Sequence, residues 1–369
     1  MTQSVWDIAI QQNRARIGMI IHKKRKPSID SCDEKVDSTI VFFGSSSSGK
    51  TTIINRILER EEKPKSTLAL DYTFGRKAMG ALPTKSVTHI WELGGGVRLS
   101  DLLCVPISLN ALRNLFLVLV LDLSKPEELW ITTETLLEAV KSRYDQIICR
   151  LKKNDHSQIH KKYHCILEGR TVPSHPDQEL LNAFPIPLTI IGMKYDLLLS
   201  RSSEHQQIVS KTLRFLNHYY SSSLYFASVK DETSMKRIKG VLSNLAFRSS
   251  FTPTVQLDIG KPLSVPEGTD SFANIGVPPN ADISIDRLNA KTPLEMWKAA
   301  FCGNFNKATN TLAVLRHETD PAKEPQFAEP LVDQARKSKD EEFDQIQRQN
   351  ERRMREILQQ TAADGIFIA

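Results

Sequence analysis

Residues 39–51 read Thr39-Ile40-Val41-Phe42-Phe43-Gly44-Ser45-Ser46-Ser47-Ser48-Gly49-Lys50-Thr51, an apolar β-type run that opens into a complete G-x-x-x-x-G-K-[ST] loop. A helix-type run, residues 51–61, follows it. Strand, loop and helix in that order are the setting in which this pattern cradles phosphate. Gly44 and Gly49 allow the tight backbone path. The N–H groups of Ser45, Ser46, Ser47 and Ser48 then point inward, and the helix that begins near Lys50, Thr51 and Thr52 adds its partial positive charge. Lys50 is placed to reach the β- and γ-phosphates of a nucleotide, and the Thr51 hydroxyl to bind Mg²⁺. The bland alternative is a serine-rich turn.

Outward from the loop, residues 38–248 alternate short apolar runs with helical periodicities. The runs at 39–43, 88–93, 115–122, 187–192 and 224–228 suit strands buried on both faces. Leu129, Leu136, Val140, Tyr144, Ile147 and Leu151 recur at helical spacing, as do Val209, Leu213, Leu216 and Tyr220, and Met235, Ile238, Val241 and Leu245. Alternating β and α predicts an α/β fold with a doubly wound, mostly parallel sheet, and ligands at the carboxyl ends of its strands. After residue 247 the alternation stops. Turns such as Val277-Pro278-Pro279-Asn280 give way to a short helix near 292–301, with Thr292 as cap and Pro293 as first residue. Residues 331–360 are strongly charged, with a thin apolar stripe of Phe343, Ile346, Met354, Ile357 and Leu358. The expected organisation is a basic arm (1–37), a nucleotide-binding domain of Ras-like type (38–250), an irregular extension packed on it (251–330) and a charged helical or disordered tail (331–369).

The 369 residues, 40% hydrophobic and 25% charged, fit a globular protein, and a net charge of +6 is too mild to imply nucleic acid. Arg14, Arg16, Lys23, Lys24, Arg25 and Lys26 form an acid-free basic stretch, read as a solvated arm or a contact for an acidic partner or membrane surface. The longest apolar run, 115–121, is far short of a membrane span, and no signal peptide is expected. Five scattered cysteines form no C-x-x-C pair, which points to a reducing cytosolic compartment. The histidines, among them His89, His164, His175 and His218, are read as ordinary.

Further motifs stand at strand ends. Trp91-Glu92-Leu93-Gly94-Gly95-Gly96 resembles the D-x-x-G switch of GTPases. Glu92 stands where an aspartate would hold Mg²⁺ through water. Gly95 fits the glycine that meets a γ-phosphate, and Gly96 replaces the glutamine that orients the attacking water. Thr67 is spaced like a switch threonine that senses Mg²⁺ and the γ-phosphate, although loop threonines are common. Ile191-Gly192-Met193-Lys194-Tyr195-Asp196 resembles the guanine-reading N-K-x-D motif, with Asp196 on the guanine N–H edge, the Lys194 stem along the base and Met193 in place of the asparagine. Ser228-Val229-Lys230 fits the short loop that packs on the base. Asp122 is either the metal-holding aspartate of an ATPase or an acid capping the Ser124-Lys125-Pro126 turn.

Residues 67–76 (TLALDYTFGR), 91–96 (WELGGG), 117–126 (LVLVLDLSKP) and 211–215 (KTLRF) resemble the dynein light intermediate chains. The intact Gly49-Lys50-Thr51-Thr52, residues 270–276 and residues 293–297 (PLEMW) are closer to the cytoplasmic dynein 2 branch of that family, over roughly residues 38–330. The resemblance implies a Ras-like domain used as a scaffold. It would bind the dynein 2 heavy-chain tail and other subunits of the complex, serve retrograde intraflagellar transport, and act in the cytoplasm, cytoskeleton, cilium and basal body. It implies no catalysis, and a pocket for guanine nucleotide (GDP or GTP), with Mg²⁺ as its companion ion. The departures at Glu92, Met193 and Gly96 agree with lost switching. An active small GTPase and a P-loop ATPase remain the alternatives.

Overall fold

In the computed structural model, residues 37–78, 85–153, 175–279, 292–305 and 329–363 are described. The apolar runs form the middle of a seven-stranded sheet of order β2-β3-β1-β4-β5-β6-β7. The strands are β1 (Ser38–Gly44), β2 (Leu70–Ala78), β3 (Lys85–Leu93), β4 (Leu115–Asp122), β5 (Leu188–Met193), β6 (Ser223–Phe226) and β7 (Ser264–Val265). β3, β1, β4, β5 and β6 are mutually parallel. β2 and β7 are antiparallel edges. This is the Ras-like arrangement of a doubly wound sheet, with one added edge strand.

Every residue of β1 and β5 is buried, as strands covered on both faces require. On one face lie α2 (Pro126–Lys153), α4 (Ser203–Tyr219) and α7 (Pro293–Phe305), packed over Val41, Leu117, Leu119, Leu121 and Ile190. On the other lie α1 (Lys50–Ile57) and α5 (Glu232–Phe247), packed over Ile40, Phe42, Val118, Val120 and Ile191. The alternation of β1 and β4 side chains between these two clusters is the pleat expressed in sequence. Short helices α3 (Tyr195–Leu199) and α6 (Phe272–Ile275) follow β5 and β7.

Three expectations are adjusted. The helix after the phosphate loop stops at Ile57, four residues early, because Leu58 closes the last turn and Glu59 adopts φ 55°. β2 was not expected: its sequence, LDYTFGRKA, mixes charges with half-exposed Tyr72 and Phe74, as an edge strand permits. β7 is a two-residue strand, too short to leave a sequence pattern.

The segment after α5 is fastened by specific contacts. Buried Arg214 of α4 makes a two-pronged ion pair with buried Asp270, both bonds 2.8 Å. Trp297 of α7 stacks on Phe215 with ring centres 4.6 Å apart. Thr292 caps α7 by accepting from the Glu295 N–H, while Glu295 accepts from the Thr292 N–H, a reciprocal capping box. The last described helix, α8 (Pro330–Ala363), exposes all its side chains from Pro330 to Met354.

Candidate functional site

The parallel strands all end on one rim, and the phosphate loop lies there between β1 and α1. Its path requires glycine at Gly44, where φ is +142° and a Cβ would lie 1.9 Å from the Val120 carbonyl oxygen. The Ser45 N–H donates to that same carbonyl at 3.1 Å, which pins the loop to β4. Gly49 takes φ +95° immediately before α1. Lys50 is buried, and its ammonium donates to the Ser45 carbonyl at 2.7 Å. The Ser45 and Ser48 hydroxyls are buried without a hydrogen-bond partner. Buried hydroxyls are costly to leave unmatched, and Ser48 lines the cleft described next, so a ligand there can supply its partner.

A cleft of about 260 Å³ opens beside these groups, lined by residues 46–52, 64–67, 92, 94 and 95. Ser46, Ser47, Ser48, Gly49, Lys50, Thr51 and Thr52 thus share one cavity with Thr67, Glu92 and Gly95. Pro64, Lys65 and Ser66 also line it; no motif in the sequence marked them. Thr51 Oγ1 donates to Glu92 Oε1 at 2.7 Å and lies 3.5 Å from Thr67 Oγ1. The extra methylene of Glu92, relative to aspartate, is what lets its carboxylate touch Thr51 directly. Burial pushes the Glu92 pKa up, opposed by the Thr51 hydrogen bond and the Lys50 charge. These three oxygens, with the Lys50 ammonium and the unmatched Ser48 hydroxyl, fit a Mg²⁺–phosphate group in donor chemistry. Gly94 is clamped against the Thr67 segment: its N–H donates to the Ala69 carbonyl at 2.6 Å, and a Cβ there would meet the Thr67 oxygen at 2.1 Å. Gly96 is buried at the start of a 3-10 turn and presents no side chain to the cleft.

The second half of the rim joins Lys194, Asp196, Ser228 and Lys230. Lys194 adopts φ 60° at the turn between β5 and α3, and its ammonium binds Asp122 Oδ2 at 2.5 Å. Asp122 also accepts from the Ser124 N–H and hydroxyl at 3.0 and 2.6 Å. Asp122 is thus the acid that caps the Ser124 turn, its other oxygen taken by Lys194. Asp196 accepts from the Ser228 hydroxyl at 2.6 Å and from Lys230 Nζ at 2.8 Å. These bonds, Lys230 first, hold its carboxyl below the usual range, so it is an acceptor at neutral pH. Lys230 is 78% exposed and can swing aside at small cost. Met193 is buried, with Cε 3.5 Å from where a Cβ on Gly49 would sit. Its thioether lies beside the phosphate loop and offers an apolar surface there, where an asparagine would offer hydrogen bonds.

One grouping escaped the sequence reading. His175 and His218, read as ordinary, converge on Asp177, with ligand-capable atoms all within 4.8 Å of one another. Their separation along the chain hides this. His164 lies outside the described residues, as does the basic stretch 14–26.

A family model described as dynein light intermediate chain matches residues 31–169. The chain is 42% identical to cytoplasmic dynein 2 light intermediate chain 1 of Bos taurus over 362 residues, 96% of this chain and 98% of that one. It is 44% identical to the Homo sapiens protein of that name over 325 residues, 88% and 91% of the two chains. Among solved structures, the crystal structure of the dynein light intermediate chain's conserved domain aligns with a TM-score of 0.49 at 13% identity, covering 77% of this chain and 99% of that one. Identity at this level across nearly the whole length places the chain in the dynein light intermediate chain family.

Proposed function

We propose that this chain is a non-catalytic light intermediate subunit of the cytoplasmic dynein 2 motor, which binds and stabilises the heavy-chain tail and holds a guanine nucleotide. Similarity along the whole length to dynein 2 light intermediate chains is the observation that carries the reading. With it go retrograde intraflagellar transport, cilium assembly and residence in the cytoplasm, cytoskeleton, cilium and basal body. No described helix is long and apolar enough to cross a membrane.

Within that reading, residues 44–52 hold the phosphates, with Lys50 as the countercharge and the Ser48 hydroxyl as a further donor. Asp196 reads the guanine N–H edge once Lys230 moves away, and Ser228 and Lys194 keep that loop in shape. Thr51 and Thr67, with Glu92 beside them, hold Mg²⁺, which would neutralise phosphate charge. Gly96 offers no group to position a water, so hydrolysis is slow. Residues 38–250 act as the Ras-like unit, 251–330 as an extension fastened to it, and 331–369 as a separate tail. Mass spectrometry of nucleotide released from the purified, denatured chain tests the guanine assignment; adenine nucleotide in its place would end it. A working GTPase switch is the second reading, favoured by the placement of Thr67 beside Thr51.

A further inference from the structure

We propose that His175, Asp177 and His218 form a binding site for a single divalent cation of the zinc class, separate from the nucleotide cleft. His218 is buried in the last turn of α4, and its Nε2 lies 2.9 Å from Asp177 Oδ2. His175 Nδ1 lies 3.8 Å from the same oxygen. The two imidazole rings meet edge to face with centres 4.8 Å apart. Tetrahedral zinc, with bonds of about 2.0–2.1 Å, sets its ligand atoms roughly 3.3 Å apart. The separations of 2.9 and 3.8 Å straddle that value, while the two imidazole nitrogens lie within 4.8 Å of each other, so metal binding requires the His175 ring to turn inward and release the Asp177 N–H that it accepts at 3.1 Å.

Two neutral imidazoles and one carboxylate are a borderline-soft donor set. They suit zinc and its first-row neighbours, whereas Mg²⁺ and Ca²⁺ prefer oxygen. Three protein ligands leave one position for water. On binding, the metal replaces the proton on His218 Nε2, and His218 takes the tautomer with its proton on Nδ1, so that Nε2 ligates as a neutral imidazole nitrogen.

The position gives the ion a role. His175 and Asp177 lie just before the 3-10 turn Gln178–Leu180, and His218 belongs to α4. Asp177 Oδ2 also accepts from the Phe272 N–H of α6 at 2.9 Å. The cation would therefore clip the approach to β5, the end of α4 and the 270–276 segment together. Without it, the approach to β5 is tied to this corner by the Asp177 hydrogen bonds, while α4 and the 270–276 segment also share the Arg214–Asp270 ion pair and the His218–Phe272 ring contact.

The test is calorimetric titration of zinc into the full, metal-stripped chain, beside His175→Asn. That variant keeps an acceptor near the Asp177 N–H, which now donates to His175 Nδ1 at 3.1 Å, and leaves the His218–Asp177–Phe272 bonds untouched. The sequence also holds His156, His160 and His164 at four-residue spacing, outside the described residues, so a chain with these three changed to Gln is the control. The expected result is about one zinc per wild-type and control chain, a higher Tm with zinc than without, and at least roughly tenfold weaker binding by His175→Asn. Cobalt(II) in the wild-type chain should give a tetrahedral absorption spectrum, a reading that needs no variant. Absent binding, equal binding by His175→Asn, loss of binding in the control chain, or an octahedral cobalt spectrum overturns the proposal.

Discussion

Glu92 keeps a carboxylate on a stem one methylene longer than aspartate, and it makes a prediction without any ligand. Its pKa is raised by burial. A carboxyl whose folded pKa lies above its unfolded value favours folding when protonated, and that contribution is lost as pH rises through the folded pKa. Glu92→Gln, which can still accept from Thr51, should therefore raise the Tm of the nucleotide-free chain near pH 7. The gain should shrink toward pH 4, and a Tm series in matched buffers reads it. Two more changes address the ligand. Lys50→Ala removes the buried ammonium beside the loop and should weaken GDP binding by at least about tenfold. Asp196→Asn should cost on the order of 1–3 kcal/mol for GDP while leaving the weaker binding of ADP unchanged. Calorimetry with both nucleotides checks the pair, and wild type that binds ADP as tightly as GDP would rule out the guanine reading.

At the scale of elements, the later segments join the core through Leu263, Val265, Ile275, Trp297 and Phe301, and two of their contacts can be tested singly. Asp270→Ala would leave Arg214 buried and unpaired, a loss of about 3–5 kcal/mol. Trp297→Ala would empty the stack on Phe215, again about 3–5 kcal/mol. Urea denaturation measures both; a change under about 1 kcal/mol in either would mean that residues 251–305 are held elsewhere. The five central strands were legible because strands buried on both faces must be apolar throughout, and the phosphate loop was legible because glycine and lysine have no substitutes there. β2 was not, since an edge strand tolerates Asp71, Arg76 and Lys77. The cleft residues Lys65 and Ser66 carry no pattern. His175, Asp177 and His218 meet only after folding, because the chain between Asp177 and His218 passes through β5, α3 and α4.

At the scale of the molecule, α8 presents only exposed side chains from Pro330 to Met354, among them Phe343 and Ile346. A stripe this thin buries too little for an obligate contact. Deleting residues 331–369 should leave heavy-chain capture unchanged, and loss of capture on that deletion alone would refute the domain assignment. The claim on which the account turns is that the chain acts as a scaffold whose partner contact does not depend on the γ-phosphate. The measurement is capture of the dynein 2 heavy-chain tail by the full chain in three states: loaded with GDP, loaded with a non-hydrolysable GTP analogue, and as Lys50→Ala. The account predicts equal capture with the two nucleotides, and capture retained by Lys50→Ala provided that the variant folds. Capture that appears only with the GTP analogue would contradict it and establish a switch.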